Sequence, residues 1–543
     1  MKLILKEYLG SLKEKDELDS LLLDLLLLNG FSTNNVPKTG ERQYGVDIFA
    51  DKDDQAYLFV VKQQDLTRKT WDSDQNSVRP SLNEIMDVFV PALLPKKFHG
   101  TPINVIVVTN GNMSDAVRPN WESFCRENEV RNERHYKYEF WGIDHLVDMT
   151  FSSAFNETLF PKKMQSNLRK TLYFLDENDV SSKYYESLIN LCFESLDSCV
   201  EGSRKKQIRH FSSFYMLINL VIHWAHEHER NKIAIQVSEY AIIKYWRFLL
   251  VHDLFEKDFY IDNLISLLEL YERCNNKFCS IISSVVERKC ELPFINVLEQ
   301  RILLYEVIGF LSSYGYYLSS LGWPNHQNIA DYLIDILNEN QNYKYPLYDK
   351  NICELSILLL FLYSVNRKQD AIALVGAIIS GLMINHIQHK KTPSQDDSYE
   401  EALAIEFGKD TKPFLASVLY GGFLEWCCIL GLKDDYDRLK DYLKNQFDNI
   451  TAQTWHINFN EESELYAEDA VFKIGVSQAF DLSLDFKNQT DIIHHPALSS
   501  ETDEFSFFKY SFPAVALITC RYYGYPVLPE FWRTKELLDY SVI

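Results

Sequence analysis

Residues 45–62 read GVDIFADKDDQAYLFVVK, and the reading of the first part of the chain turns on them. Asp47 lies in an apolar run with Val46, Ile48 and Phe49, the polar cluster Asp51 to Gln55 supplies a turn, and Tyr57 to Val61 form an aromatic and β-branched return run that ends at Lys62. This pattern predicts a β-hairpin with one charge on each arm. A turn centred on Asp53 and Asp54 puts Asp47 opposite Val60 and Lys62 diagonally across on the same face, because side chains alternate with period two. A carboxylate and an ammonium then share one patch.

Working outward, Leu18 to Phe31 (LDSLLLDLLLLNGF) predict a strongly apolar helix, with Asp19 near its start and Gly30 at the expected stop. Beyond the hairpin, Ser81 to Leu94 predict a helix, and Pro102 to Thr109 (PINVIVVT) are a continuous apolar run expected of a buried strand. A turn at Asn110-Gly111-Asn112, a helix near Asp115 to Asn128 and a strand at Tyr136 to Trp141 follow. Helix, hairpin, helix, strand, helix, strand describe an α/β sandwich with a mixed sheet, placed here at residues 1–160.

At these residues the chain resembles the restriction-endonuclease-like superfamily, the PD-(D/E)xK nucleases, and within it the Mrr-type branch. The resemblance is carried by Asp19 in the first helix, Gly45-Val46-Asp47 on the first hairpin strand, Lys62 in FVVKQQD on the second, the VTNG stretch (Val108 to Gly111) and FWGIDHLVD (Phe140 to Asp148). It implies a metal-dependent phosphodiesterase in which Asp47 and the main-chain carbonyl of Val61 bind Mg2+ or Mn2+, and Lys62 holds the attacking water or stabilises the charge that develops on phosphorus. A phosphodiester repels hydroxide, so such a site needs a cation to cancel charge and acidify a water, and a hard cation prefers oxygen ligands. The family usually has Glu or Gln two residues before the lysine, where this chain has Val60. That removes one expected ligand, and Gln64 and Asp19 are the expected substitutes. Taken singly, an Asp in a strand, a Lys at a strand end and an Asp at a helix start are more often surface, ion-pair or helix-capping residues.

The chain has 543 residues, is 46% hydrophobic and 14% aromatic, and carries a formal net charge of −22. It is long enough for more than one domain and rich enough for large cores. The acidity argues against a broad basic nucleic-acid face, since phosphate contacts supply most non-specific affinity. DNA contact is therefore expected to be local, with Arg68, Lys69 and Arg79 as candidates. Ten cysteines without a CxxC pair, and no signal peptide ahead of the first helix, give a cytoplasmic expectation. His223, His226 and His228 in HWAHEHE lack the HExxH order and are expected to serve packing or surface.

From about residue 161 to 543 the pattern becomes helical, with almost no credible strand. Two helical hairpins stand out. In one, Ile352 to Val365 return through a polar turn into Asp370 to Ile384; in the other, Phe414 to Leu432 return into Tyr436 to Asn445. The expectation is an all-α, irregular, α-solenoid-like region, with a possible split near 390–400. Its apolar helices are too short or too charged to span a bilayer, so no membrane is expected. The phosphate loop, the GxSxG elbow and the dinucleotide fingerprint do not occur. The resemblance implies a DNA endonuclease, and with it a prokaryotic anti-phage or anti-plasmid effector. Its helical region would sense a trigger, bind a protein partner or ligand, or drive homo-oligomerisation. A catalytically inactive scaffold on the same fold and an RNA- or tRNA-directed nuclease are the alternatives.

Overall fold

The computed structural model describes residues 2–33, 44–73, 77–153, 162–176, 182–287, 296–395, 398–409, 415–447, 450–456, 462–467, 476–493 and 505–525. The chain divides into two compact units, Met1–Arg230 and Asn231–Ile543.

The first unit opens with α1 (Lys2–Ser11), a π-helical turn (Glu14–Leu18) and α2 (Asp19–Leu28), followed by β1 (Ser32–Thr33), β2 (Ile48–Lys52) and β3 (Gln55–Lys62). Next come α3 (Arg68–Asp72), α4 (Val78–Glu84), a second π turn (Ile85–Phe89), α5 (Val90–Ala92), β4 (Ile103–Thr109) and α6 (Arg118–Glu127). The strands β5 (Val130–Arg131) and β6 (Arg134–Trp141) and the helices α7 (Ile143–Ser153), α8 (Lys162–Asp176), α9 (Lys183–Asp197) and α10 (Arg204–Glu227) complete it.

The hairpin forms as the pattern predicts. Ile48 pairs with Phe59 and Lys52 with Gln55, leaving Asp53 and Asp54 as a two-residue connection. Both sit in the left-handed region, at φ 51° and 59°. That geometry matches the twist of the flanking strands, and aspartate tolerates it better than most residues. Continuing the register by one residue places Asp47 across from Val60, and the Asp47 N–H donates to the Phe59 carbonyl at 2.9 Å.

The apolar run at β4 is buried along its whole length because it runs parallel between β3 and β6. Parallel neighbours need crossovers, and the α3–α5 and α6 segments provide them. The sheet order is β1-β2-β3-β4-β6-β5, a mixed sheet with short antiparallel strands at both edges. One face carries Leu58, Val60, Val105 and Val107 against Val78, Leu82, Ile85, Trp121 and Phe124. On the other, Phe59 meets Phe31 and Trp141 at ring distances of 6.1 and 5.5 Å. Burying a side chain such as Leu58 or Val60 stabilises by about 1.5–3 kcal/mol.

The sequence reading ends this layer near residue 160, but the compact unit runs on to Arg230. The reason is packing: α10 lies on α1, and α8, α9 and α10 pack on one another.

The second unit begins with α11 (Asn231–Val251), α12 (Asp258–Glu287), α13 (Val297–Ser320) and α14 (His326–Glu339). The expected hairpins follow as α15 (Ile352–Ser364) with α16 (Lys368–His389), then, after α17 (Tyr399–Glu406) and β7 (Ala416–Ser417), α18 (Val418–Leu430) with α19 (Lys433–Gln446). The rest comprises β8 (Thr451–His456), α20 (Glu462–Leu465), β9 (Val476–Ala479), α21 (Phe486–Ile493), α22 (Ser506–Lys509) and α23 (Ala514–Tyr523).

The all-α expectation needs correction here. β7, β8 and β9 form a three-stranded sheet, and α18 lies directly on β8. A Cβ on Gly421 would stand 2.0 Å from the Gln453 carbonyl oxygen, so glycine is what allows helix and strand to approach. Near 390–395 the chain is tied to what precedes it. Ser394 N–H donates to the Leu347 carbonyl and Asp349 N–H to the Ser394 carbonyl, at 2.8 and 2.9 Å, which stitches the polar stretch to the segment ahead of α15. Against the sequence expectation, α16 is long and apolar enough to cross a membrane by length and composition; Leu374, Val375, Ile378, Ile379 and Leu382 on it are buried, 39% of its apolar stretch in all. Cys427 and Cys428 are buried on α18.

Candidate active site

The mouth of the site is set by Gly45. Its φ of +79° lies in the left-handed region, and a Cβ there would come within 2.2 Å of the Ser81 carbonyl oxygen on α4. Only glycine meets both conditions, which fixes the entry of the chain two residues before Asp47. Gly45→Ala is expected to destabilise the protein by at least ~2 kcal/mol, the sum of left-handed strain and overpacking. Urea unfolding of the purified variant checks this, and an unchanged midpoint would count against the close approach.

Asp47 Oδ2 accepts a hydrogen bond from the Val61 N–H at 2.8 Å, so the carboxylate bridges the two arms of the hairpin. Burial pushes this carboxyl above the ordinary aspartate value; Lys62 and the Val61 N–H pull it down, and Glu14 and Asp19 push it up again. The net direction is upward. Lys62, Glu14 and Asp19 therefore all act on Asp47, at the end of the hairpin away from its turn. The sequence reading brought Asp47, Lys62 and Asp19 together, and the structure adds Glu14.

Glu14 begins the π-helical turn ahead of α2, and its Oε2 accepts the Gln63 N–H at 3.2 Å. Asp19, the first residue of α2, accepts the Ser20 N–H through Oδ1 at 2.7 Å. Glu17, on the π turn, is held by Arg209 of α10 at 2.7 Å.

Gln64 does not take the place expected of it. Strand β3 ends at Lys62, so period-two alternation stops there. Gln64 turns left-handed at φ 75°, its N–H is held by Asn110 Oδ1 at 2.8 Å, and its side chain is exposed. Gln63 instead turns to the first helices, donating Nε2 to the Leu12 carbonyl at 2.9 Å. Val60 is fully buried in the core beneath α4, so the position where the family carries an acid is part of the apolar packing.

The remaining candidates lie further out. Arg68 and Lys69 open α3 and are exposed, Arg68 donating to the Ala116 carbonyl at 3.3 Å. Arg79 is paired with Asp72 at 2.8 Å, which reduces its value as a phosphate contact. His228 stacks on Trp224, in keeping with the packing reading of the histidine run.

A Mg2+ or Mn2+ ion is tested here by the donor set. Among the described residues no three His, Cys, Asp or Glu side chains gather into a metal-binding group. Mg2+ does not require three, because it keeps several waters and is commonly held by one or two carboxylates. Oxygen donors at a half-buried carboxylate that two further acids act on fit a hard cation in kind. Asp47, Asp19 and the Val61 carbonyl are the groups that would hold it.

No protein-family model, curated protein or solved structure matches the chain.

Proposed function

We propose that the first unit is a metal-dependent phosphodiester hydrolase, a DNA endonuclease centred on Asp47 and Lys62. The observation that carries the reading is the half-buried Asp47 carboxylate, pushed up by desolvation, held by the Val61 N–H and under the charges of Lys62, Glu14 and Asp19. Burial of an ionisable acid beside a specific cation is a cost to the fold that function explains better than stability does. The ion would supply the second positive charge against a phosphodiester anion. Lys62 would meet a phosphate oxygen or orient water, and Asp47 ties the two hairpin arms through the Val61 N–H. Arg68 and Lys69, both exposed, would contact the nucleic-acid backbone locally.

Charge distribution supports a local contact. After Arg230, 43 acidic residues face 27 basic ones, so most of the net negative charge lies in the second unit. A role in prokaryotic defence, with the helical unit as sensor or oligomerisation region, follows from the resemblance of the hairpin and its flanking elements. One observation favours a second reading, a nuclease-like fold kept for binding: the fully buried Val60, which takes the place of a ligand.

The test is cleavage of plasmid DNA with Mg2+ or Mn2+ by wild type, Asp47→Ala and Lys62→Ala, with single-stranded RNA and tRNA in parallel. Wild type is expected to cut DNA about 10²–10⁴ times faster than either variant. Equal rates for all three sink the enzyme reading, and cleavage confined to RNA replaces the substrate class.

A further inference from the structure

Lys62 carries its charge on a flexible four-carbon stem, so a role against Asp47 requires its main chain to be fixed. The ladder with β4 does this as far as Lys62, which pairs with Thr109, but β3 ends there and the next two residues leave the strand. What supplements the ladder at its last residues and continues past it is a row of side-chain acceptors from other parts of the first unit. The Val61 N–H goes to Asp47 at 2.8 Å, the Gln63 N–H to Glu14 at 3.2 Å and the Gln64 N–H to Asn110 at 2.8 Å. Asn110 is itself tied to α1 and its exit, donating Nδ2 to the carbonyls of Leu9 and Leu12 at 3.0 and 2.8 Å.

The turn that bears Glu14 is anchored in turn. Glu17 accepts from Arg209 through Oε1 at 2.7 Å and from the Lys13 N–H through Oε2 at 2.8 Å. A π-helical turn is strained relative to the α form, and such turns are frequent at functional sites. Here it starts at Glu14, the residue that reaches the strand end. On β3 itself the neighbouring position that an acid could have used is Val60, turned into the core.

We propose that Glu14 is the positioning residue of the candidate site, holding the main chain at Gln63 so that Lys62 is presented to Asp47, with the Arg209–Glu17 pair fixing the turn that carries it. The proposal rests on the reading of Asp47 and Lys62 as a hydrolase site. It assigns Glu14 no contact with substrate. It needs only an acceptor at that place, so Gln at position 14 serves nearly as well as Glu.

The experiment compares wild type, Glu14→Ala and Glu14→Gln by steady-state DNA cleavage with Mg2+ and by hydrogen–deuterium exchange over residues 59–66. The expected result is a kcat about a hundredfold lower in Glu14→Ala with little change in KM, as for a misplaced group, together with faster exchange over that segment. Glu14→Gln is expected to restore protection and most of kcat. Loss of cleavage in Glu14→Gln equal to that in Glu14→Ala, with protection intact, overturns the proposal, because the charge and not the hydrogen bond is then at work. Wild-type behaviour of Glu14→Ala in both readouts also overturns it. If wild type does not cut, the hydrolase reading fails separately. The exchange data still decide whether Glu14 fixes the strand end, unchanged exchange in Glu14→Ala being the outcome against it.

Discussion

Asp47→Asn is expected to abolish cleavage, by about a thousandfold, while making the protein more resistant to heat at neutral pH. The two effects have one cause. Burial dominates the environment of the carboxyl and raises it above its ordinary value, with Glu14 and Asp19 adding to the effect and Lys62 and the Val61 N–H opposing it. A carboxyl raised on folding favours the folded state below its unfolded value, and that contribution is lost as pH rises through the folded value. At neutral pH the ionised group is therefore a burden, which the neutral amide removes while its oxygen can still accept from Val61. Asp47→Ala lacks that acceptor and is expected to melt below Asp47→Asn. Melting temperatures of the three proteins at pH 7 and at pH 4 check the account: the advantage of Asp47→Asn over wild type shrinks in acid. A lower melting temperature for Asp47→Asn at pH 7 would mean that Asp47 is a structural ion-pair partner and not a residue held at a cost.

Arg521→Ala is expected to remove about 3–5 kcal/mol from the folded state, the range for leaving a buried charge without its partner. Arg521 on α23 pairs with Glu239 on α11, and their side chains are 8% and 0% exposed. The guanidinium also lies over the Phe310 ring at 4.1 Å, in the space left by Gly309, where a Cβ would stand 3.2 Å from Arg521 Cδ. Among the described residues Glu239 Oε1, Arg521 Nε and the Tyr271 hydroxyl find no hydrogen-bond partner, so the pair is incompletely satisfied. Burial pushes the Glu239 carboxyl up to about 7 against the pull of Arg521. The stability of wild type relative to Glu239→Gln should accordingly fall as pH rises from 4.5 to about 7 and level off above. In Arg521→Ala the carboxyl has lost the charge that held it down, so the loss of stability is smaller in acid. The double variant Arg521→Ala with Glu239→Leu should recover much of the loss, since apolar replacement of a buried pair is often neutral. Denaturant unfolding at pH 5 and pH 8 measures all of this. A loss under about 1 kcal/mol for Arg521→Ala at pH 8 would show that water reaches the pair.

The hairpin was legible because its signals are local. The aromatic and β-branched run Tyr57 to Val61 and the polar cluster at Asp53 and Asp54 set pairing, turn and register without reference to the rest of the chain. The run PINVIVVT was legible for a related reason, since a strand buried on both faces has no polar side to show. Gln64 was misplaced because alternation was carried past the strand end, and what ends the strand is Asn110, 46 residues away. Glu14 was missed because it is one of several charges in EKDE, and nothing in that string marks the acid that will meet Gln63. The second sheet left a faint trace in TAQTWH, but its partner strands are short and only the glycine surface of α18 gives it a place to lie. The helices from Lys162 to Glu227 carry no mark of the unit they join, because contact with α1 is a choice among several apolar faces.

That contact has a consequence for where the unit can be cut. Its last helix, α10, packs on its first, α1, so a truncation near residue 160 would strip α1 of a helix that covers it. A piece meant to keep that cover has to run on to Arg230. Chimaeras that join residues 1–230 to an unrelated partner are thus the natural currency for asking which properties travel with the hairpin and which stay behind with the helices.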